Sequence, residues 1–387
     1  MHFLMSSRIK IILTCTHSLG AKFLEGQLIY LRNKGFEVHV LSAPGKEIEN
    51  LCLREEANLI SFPFQREISI INDLKAVFRL IKIIRKINPD VINAGTPKAG
   101  FLVCLSARII GFSPLIFTLR GLRSETLSGF KRKLVRAMET FTCTLADIVI
   151  PISPSLKDHA ITNKILKREK AVVLERGSSN GVNVNKFKRV FSAFERENLR
   201  RKFKIGKNDV VFSYVGRINN DKGIPELFTM FKDVNKKFQN VKLLLVGEFE
   251  LEDSIPLELK QELEYHDSVI IIPYQQNIKD VYEIIDVLVL YSKREGFGNI
   301  LIEAASMEIP VIASNIPGCM DAVKNNYNGF LVNNDLELKE KLLCYSNDED
   351  LRLNHGNNGR IWAEQNFRCE KIWDSQIELY KKLINKK

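Results

Sequence analysis

Twelve short apolar runs, separated by turns and helix-like stretches, constrain the fold of this chain more than any other feature. In the first half, RIKIILTC, FEVHVLSA, ANLISFPF, DVINAG, SPLIFTLRG and ADIVIPIS read as strands. The second half repeats the pattern with VVFSYVGR, VKLLLVGE, SVIIIPY, VLVLYS, IPVIASN and GFLVNN. Between them lie helical patterns such as FLEGQLIYLRNKG, LKAVFRLIKIIRKINP and KRKLVRAMETFTCTLA, then PELFTMFKDVNKKF and LIEAASM. Strands that are apolar throughout and alternate with helices are what a parallel sheet covered by helices requires. The expected class is therefore α/β, in two successive halves, because 387 residues exceed what one hydrophobic core comfortably holds. The polar stretch from Lys188 to Lys207 ends in an Ile-Gly-Lys-Asn turn and reads as the natural boundary, with a ligand expected in the cleft between the halves.

With 45% hydrophobic and 27% charged residues, the chain is globular rather than disordered. Its seven cysteines lack paired spacing and its six histidines form no ligand pattern, so neither a disulfide framework nor a structural zinc site is expected. The first strand starts near Arg8, leaving no room for a signal peptide before folded structure. Ala99 to Phe112 is the nearest approach to a membrane segment but is short and interrupted by Arg108; cytoplasmic folding is expected.

Charge is uneven. Residues 1–190 balance to +15 and the remainder to −4, within a net charge of +11. The first half should attract an anionic partner: an acidic membrane face, a lipid diphosphate or a nucleic acid. Nucleic acid fits least, since zinc-finger spacing, a helix-turn-helix signal and basic segments interleaved with aromatics are all missing. LKAVFRLIKIIRKI is amphipathic and basic, which suits either a lipid surface or a packed helix with a solvated face.

The most informative segment for chemistry is Tyr291 to Met307, YSKREGFGNILIEAASM. It places Glu295 and Glu303 eight residues apart across a glycine turn that joins a strand to a helix. Glycines let backbone approach a ligand, and the N–H groups at a helix start suit a diphosphate. Either carboxylate can accept hydroxyl hydrogen bonds from a sugar or ribose. Seen alone, EGFG fits a solvated surface loop better than a site, and the other segments shift that balance. VGRINNDKG, Val215 to Gly223, sets Arg217 and Lys222 across a short polar loop where a strand ends; both can neutralise a diphosphate, or both can be incidental surface cations. NGVNVNKF, Asn180 to Phe187, adds a glycine turn and an aromatic anchor.

The order NGVxxxxF, VGRxxxDKG, LLLVGE, EGFGxxxxEA and IPVIASNIPG resembles the retaining GT-B nucleotide-sugar glycosyltransferases of family four, over nearly the whole chain. Within that family it looks most like the bacterial capsule, exopolysaccharide and O-antigen branch, where sequences like NAGTPKAG and TLRGLR are familiar. The resemblance implies a GT-B fold, two Rossmann-like α/β/α domains facing across a cleft. Residues 1–187 would bind the acceptor and 188–367 the nucleotide-sugar donor, with a helix over 368–387 packing back on the first domain. Arg217 and Lys222 would bind the donor diphosphate, Glu303 the ribose hydroxyls and Glu295 the transferred sugar. Phe297, Gly298, Asn299 and Ile300 would lie near that sugar and the phosphates, with Tyr274 at the strand end framing the base. Gly20 would face the diphosphate from the first domain, although Leu19 stands where the family usually has another glycine.

The main departure is Arg120 in FTLRGLR, where many relatives carry a histidine in a THG-like segment. An arginine is no general base near neutral pH, but it can hold a phosphate, a carboxylate or an acidic sugar. Arg120, with Arg123, is therefore expected to orient donor or acceptor, unless both serve only as structural cations. Lys98 in GTPKAG is a further acceptor-side candidate. No acidic pair stands at a strand end to bridge a metal, so the chemistry is expected to need no metal or other cofactor, the UDP-sugar being a substrate. The resemblance implies transfer of a hexosyl or N-acetylhexosaminyl group, with retention, to an undecaprenyl-diphosphate-linked saccharide at the inner face of the cytoplasmic membrane. GDP-sugar as donor, a soluble acceptor, or a phosphorylase or sugar-nucleotide epimerase in the same fold are the alternatives, with a non-catalytic polyanion-binding module more distant.

Overall fold

The computed structural model describes residues 8–65, 69–250, 253–275 and 277–386. The chain forms two compact units, Met1–Asn180 with Cys369–Lys387, and Gly181–Arg368.

The first unit carries β1 (Ile9–Cys15), β2 (Phe36–Ser42), β3 (Asn58–Ser61), β4 (Val91–Gly95), β5 (Leu115–Leu119) and β6 (Ile148–Pro151). All are parallel, in the order β3-β2-β1-β4-β5-β6. The apolar runs become these strands because helices cover them: Ile11, Ile12, Val91, Ile92, Leu115 and Ile116 are fully buried. The helix Pro97–Ile109 packs between the helices Ile70–Ile87 and Gly129–Leu145. Ser106 there donates to the Val77 carbonyl at 3.4 Å, and Phe101 meets Phe141 with ring centroids 6.3 Å apart. Strand order reverses at the neighbours β1 and β4, which makes their carboxyl ends the ligand-binding position of such a sheet.

The final helix, Cys369–Ile384, completes this unit. It buries Ile372, Trp373, Ile377 and Tyr380, and Asn93 of β4 donates to Tyr380 Oη at 2.7 Å. Gly26, at φ +78°, lies under the Trp373 ring, where an added Cβ would come within 2.8 Å.

The second unit has β7 (Val210–Val215), β8 (Val241–Val246), β9 (Val269–Ile272), β10 (Val287–Leu290), β11 (Val311–Ser314) and β12 (Gly329–Val332). They too are parallel, in the order β12-β11-β10-β7-β8-β9, with the reversal at β7 and β10.

The stretch from Lys188 to Lys207, read as a boundary, differs from that reading. Ser192 caps the helix Ala193–Lys202 in a reciprocal box with Glu195. Arg196 and Arg200 of that helix bond Asp286, immediately before β10, at 2.6 and 3.1 Å. The segment is thereby part of the second unit, and the chain crosses between units at Asn180–Gly181 and Arg368–Cys369. Val182 donating to the Phe367 carbonyl at 2.7 Å closes the second unit at the point where both crossings meet it.

All seven cysteines are free. Among the described residues no helix is long and apolar enough to cross a membrane.

Candidate active site

In the second unit the loops following β7 and β10 are joined across the switch point. Gly223, at φ +66°, brings the first loop so close to Tyr291 that a Cβ would stand 2.0 Å from its carbonyl oxygen. The Lys293 amide donates to the Asp221 carbonyl at 2.9 Å, and Arg294 reaches the Asp221 carboxylate at 3.4 Å. This juxtaposition sets Lys222 Nζ 2.6 Å from Glu295 Oε1, with Ser292 Oγ donating to the same oxygen at 2.9 Å. Both side chains are largely buried, so the pair is held in one geometry. Lys222 retains two further N–H donors beyond the one given to Glu295.

Arg217 leaves the end of β7 differently. Its side chain is 57% exposed, and Nη1 donates to both Glu250 oxygens at 2.6 and 2.7 Å, leaving the rest of the guanidinium fork for a ligand. Tyr214 Oη fixes the turn by donating to the Arg217 carbonyl at 2.8 Å. At the neighbouring strand end, Gly247 (φ +146°) lies against Gly216, where a Cβ would sit 1.8 Å from the Gly216 oxygen.

Downstream of Glu295, Phe297 is buried against Phe367, with centroids 5.5 Å apart. Gly298 is the N-cap of the helix Asn299–Ser306, so Asn299 and Ile300 open its first turn. The Asn299 amide already donates to the Phe297 carbonyl at 2.9 Å, which tightens that turn. Glu303, just over one turn in, accepts from Tyr282 Oη at 2.9 Å. Burial, and then the Glu303 carboxylate, push the Tyr282 phenol well above its ordinary value, so it stays a donor. Tyr274, beyond the end of β9, is exposed, and its backbone amide donates to Glu248 at 3.0 Å.

Local spacing singles out the two cations and two carboxylates but not the side chains that contact them: Glu250, which also accepts from Asn219 Nδ2 at 2.7 Å, Ser292 and Tyr282. Glu250 lies only two residues beyond the quoted LLLVGE run, yet its pairing with Arg217 depends on the bridge between Ile218 and Phe249, which linear spacing does not encode.

In the first unit, Arg120 follows β5. Its Nη1 donates to Ser179 Oγ at 2.8 Å and its guanidinium lies 4.9 Å from the Phe23 ring centroid. Nε is buried and makes no hydrogen bond among the described residues. Desolvation lowers its pKa, yet from so high a starting value that the group stays charged at neutral pH. It lines a small polar cavity with Thr14, Gln27, Asn93, Thr118 and Gln376. Thr118 donates to Asn93 Oδ1 at 2.8 Å, so one network runs from β5 through β4 to Tyr380 of the final helix.

Gly20 lies in a short 3₁₀ turn, Ser18–Phe23, buried against Cys15: a Cβ there would stand 3.0 Å from Cys15 Cβ. Burial pushes the Cys15 thiol up to about 11, so it is neutral packing. Leu19 is exposed. Lys98, read as an acceptor-side cation, is buried and paired at 2.9 Å with Asp73 of the helix Ile70–Ile87. Arg123 is exposed at the start of the turn Arg123–Thr126. Among the described residues no group of three His, Cys, Asp or Glu is placed to hold a metal ion.

The model of "Glycosyltransferase Family 4" matches residues 23–182, and that of "Glycosyl transferases group 1" matches 195–362. The capsular polysaccharide biosynthesis glycosyltransferase CapM of Staphylococcus aureus is 38% identical over 374 residues, 96% of either chain. The chain belongs to glycosyltransferase family 4. Another relative of this glycosyltransferase is the UDP-Gal:alpha-D-GlcNAc-diphosphoundecaprenol alpha-1,3-galactosyltransferase of Escherichia coli, 26% identical over 320 residues, 81% of either chain. Among solved structures, Anabaena Alr3699/HepE in complex with UDP-glucose superposes with a TM-score of 0.80 at 20% identity, over 97% of this chain and 100% of that one. That likeness shows the GT-B architecture of two Rossmann-like units for this family 4 glycosyltransferase.

Proposed function

We propose that this glycosyltransferase moves a sugar, with retention of anomeric configuration, from a UDP-sugar to a lipid-diphosphate-linked saccharide during synthesis of a bacterial surface polysaccharide. The observation that carries the donor assignment is the Lys222–Glu295 pair at the joined ends of β7 and β10, followed by the helix Asn299–Ser306 whose Glu303 is held by Tyr282. Breaking the bond between an anomeric carbon and a nucleoside diphosphate leaves positive character on the sugar ring and negative charge on the departing phosphate. Lys222 and Arg217 stabilise that charge where it develops, and the helix start at Gly298 adds its dipole. Glu303 accepts the ribose hydroxyls, with its free rotation removed by Tyr282, and Glu295 accepts hydroxyls of the transferred sugar. Tyr274 flanks the base. The acceptor attacks on the face from which the phosphate leaves, and the departing phosphate takes its proton.

Arg120 has no proton to exchange at neutral pH, and its guanidinium therefore orients an anionic part of donor or acceptor from the first unit, with Gly20 in the neighbouring turn. The uridine and lipid-diphosphate assignments are supported by the Escherichia coli relative, whose donor is UDP-Gal and whose acceptor is GlcNAc-diphosphoundecaprenol. Capsule synthesis is supported by the Staphylococcus aureus relative, and action at the inner membrane face follows from such an acceptor.

Calorimetric titration with UDP and with GDP tests the site. Micromolar UDP binding, weakened at least tenfold by Glu303→Ala and by Arg217→Ala, is expected. Preferential GDP binding would change the donor, and no nucleotide binding at all would overturn the site.

A further inference from the structure

The helix Gly129–Leu145 is apolar on the wrong side for a helix that only covers a sheet. Its buried residues are Glu139, Thr142 and Cys143. Rotated about half a turn from them stand Phe130, Leu134, Ala137 and Phe141, at spacings of four, three and four residues, all exposed; Phe130 is 80% exposed and Phe141 47%. The line facing away from the sheet is thus the apolar one. Lys131 and Lys133, both exposed, flank it on either side.

The helix Ile70–Ile87, on the far side of Pro97–Ile109, presents the same chemistry. Lys75, Arg79, Lys82 and Lys86 project opposite its buried line of Val77, Leu80 and Ile84, with Phe78 67% and Ile71 69% exposed at the margin. Neither helix offers a solvated carboxylate to balance these cations. Asp73 is taken by Lys98, and Glu139 is buried, accepting from Ser124 Oγ at 2.6 Å. Among the described residues none of Lys75, Arg79, Lys82, Lys131, Arg132 or Lys133 has an acidic partner.

We propose that this three-helix face of the first unit docks on an anionic lipid bilayer, with Phe130, Leu134 and Phe141 entering the headgroup boundary between the two basic flanks. The inference deepens the lipid-linked acceptor reading by naming the surface that meets the membrane. Charge complementarity selects the occupant: a second copy joined through the same face would bring two cationic faces together, whereas an anionic leaflet neutralises them. Apolar side chains ringed by cations supply the two signals that stable peripheral attachment needs.

The test is sedimentation of the full chain with sucrose-loaded vesicles of phosphatidylcholine containing about one-third phosphatidylglycerol, against pure phosphatidylcholine, at about 0.1 M salt, where exposed charges are screened beyond about 10 Å. Binding to the anionic vesicles alone is expected. Phe130→Ser with Leu134→Ser, and separately Lys131→Glu with Lys133→Glu, should each lower the partition coefficient at least tenfold with UDP affinity unchanged. Equal binding by wild type and both variants, no binding by wild type, or a concentration-dependent dimer lost in the Phe130→Ser, Leu134→Ser variant would overturn the docking face. If vesicle binding behaves as expected while no lipid-linked saccharide is glycosylated in detergent, the docking face stands and the acceptor reading falls; turnover in detergent without vesicle binding is the reverse.

Discussion

Lys222 and Glu295 keep only 14% and 17% of their side chains exposed, so the pair is mostly removed from water and each charge depends on the other. Removing one partner strands the other, which costs about 3 kcal/mol in such settings, whereas removing both spares that penalty. Lys222→Ala is therefore expected to lower stability more than Lys222→Met with Glu295→Gln, while every one of these variants loses transfer activity; urea unfolding beside an activity assay separates the two effects. Much of this site was legible in the sequence, because the EGFG turn and the DKG turn need particular residues at fixed local spacing. The partners that hold the charges were not, since Glu250 and Tyr282 reach them only through tertiary contact. His355 makes a different residue-scale case. It is buried beside Tyr345, 2.7 Å from its hydroxyl, and desolvation, opposed by Asp348, holds its pKa below 6.5. The unfolded chain then binds a proton near pH 6.5 that the folded chain refuses until lower pH, so this contribution is complete above pH 6.5 and is lost as pH falls below it. Urea midpoints at pH 7.5 and 5.5 should therefore differ more for the wild type than for His355→Asn.

Strands and helices were legible almost throughout, since the burial that makes β1 or β10 apolar on both faces is itself written as a continuous apolar run. The segment 188–207 misled because its helix Ala193–Lys202 is so polar that it reads as a linker; what docks it is Arg196 and Arg200 on Asp286, a charge contact rather than an apolar stripe. Close approach between elements was likewise invisible. Gly247 and Gly216 let the ends of β8 and β7 meet backbone to backbone, and a methyl group at Gly247 has both an unfavourable φ of +146° and a carbonyl oxygen 1.8 Å away. Gly247→Ala should destabilise the protein by about 2 kcal/mol or more, combining backbone strain with overpacking. It should also weaken UDP binding, because relief of the clash moves the Arg217 turn; thermal unfolding with calorimetry on the same sample reads both, and an unchanged Tm would mean the strand ends are not locked together.

At the scale of the whole molecule the chain visits the first unit twice, and the last visit is structural. The helix Cys369–Ile384 places Tyr380 under Asn93 and near Phe36, whose ring centroid is 6.3 Å away, and Trp373 under Gly26, with Trp373 Nε1 donating to Asn180 at 2.6 Å. Gln376 accepts from Gln27 in the wall of the cavity that Arg120 lines. Ending the chain at Arg368 would expose Leu28, Leu31 and Phe36, strand the polar groups of Asn93 and Gln27, and so remove several buried side chains at about 2 to 5 kcal/mol each. That sum exceeds what a domain of this size can lose. The second unit has its own sheet and its own closure at Val182 and Phe367, and keeps every residue of the proposed donor pair. Hydrogen exchange on the truncated chain should therefore show lost protection across β1 to β6 with protection retained across β7 to β12, and UDP should still slow exchange around Lys222 and Glu303. Uniform loss of protection would mean that the two units do not fold independently, and retained protection in β1 and β4 would mean that the final helix is an ornament on a sheet already stable without it.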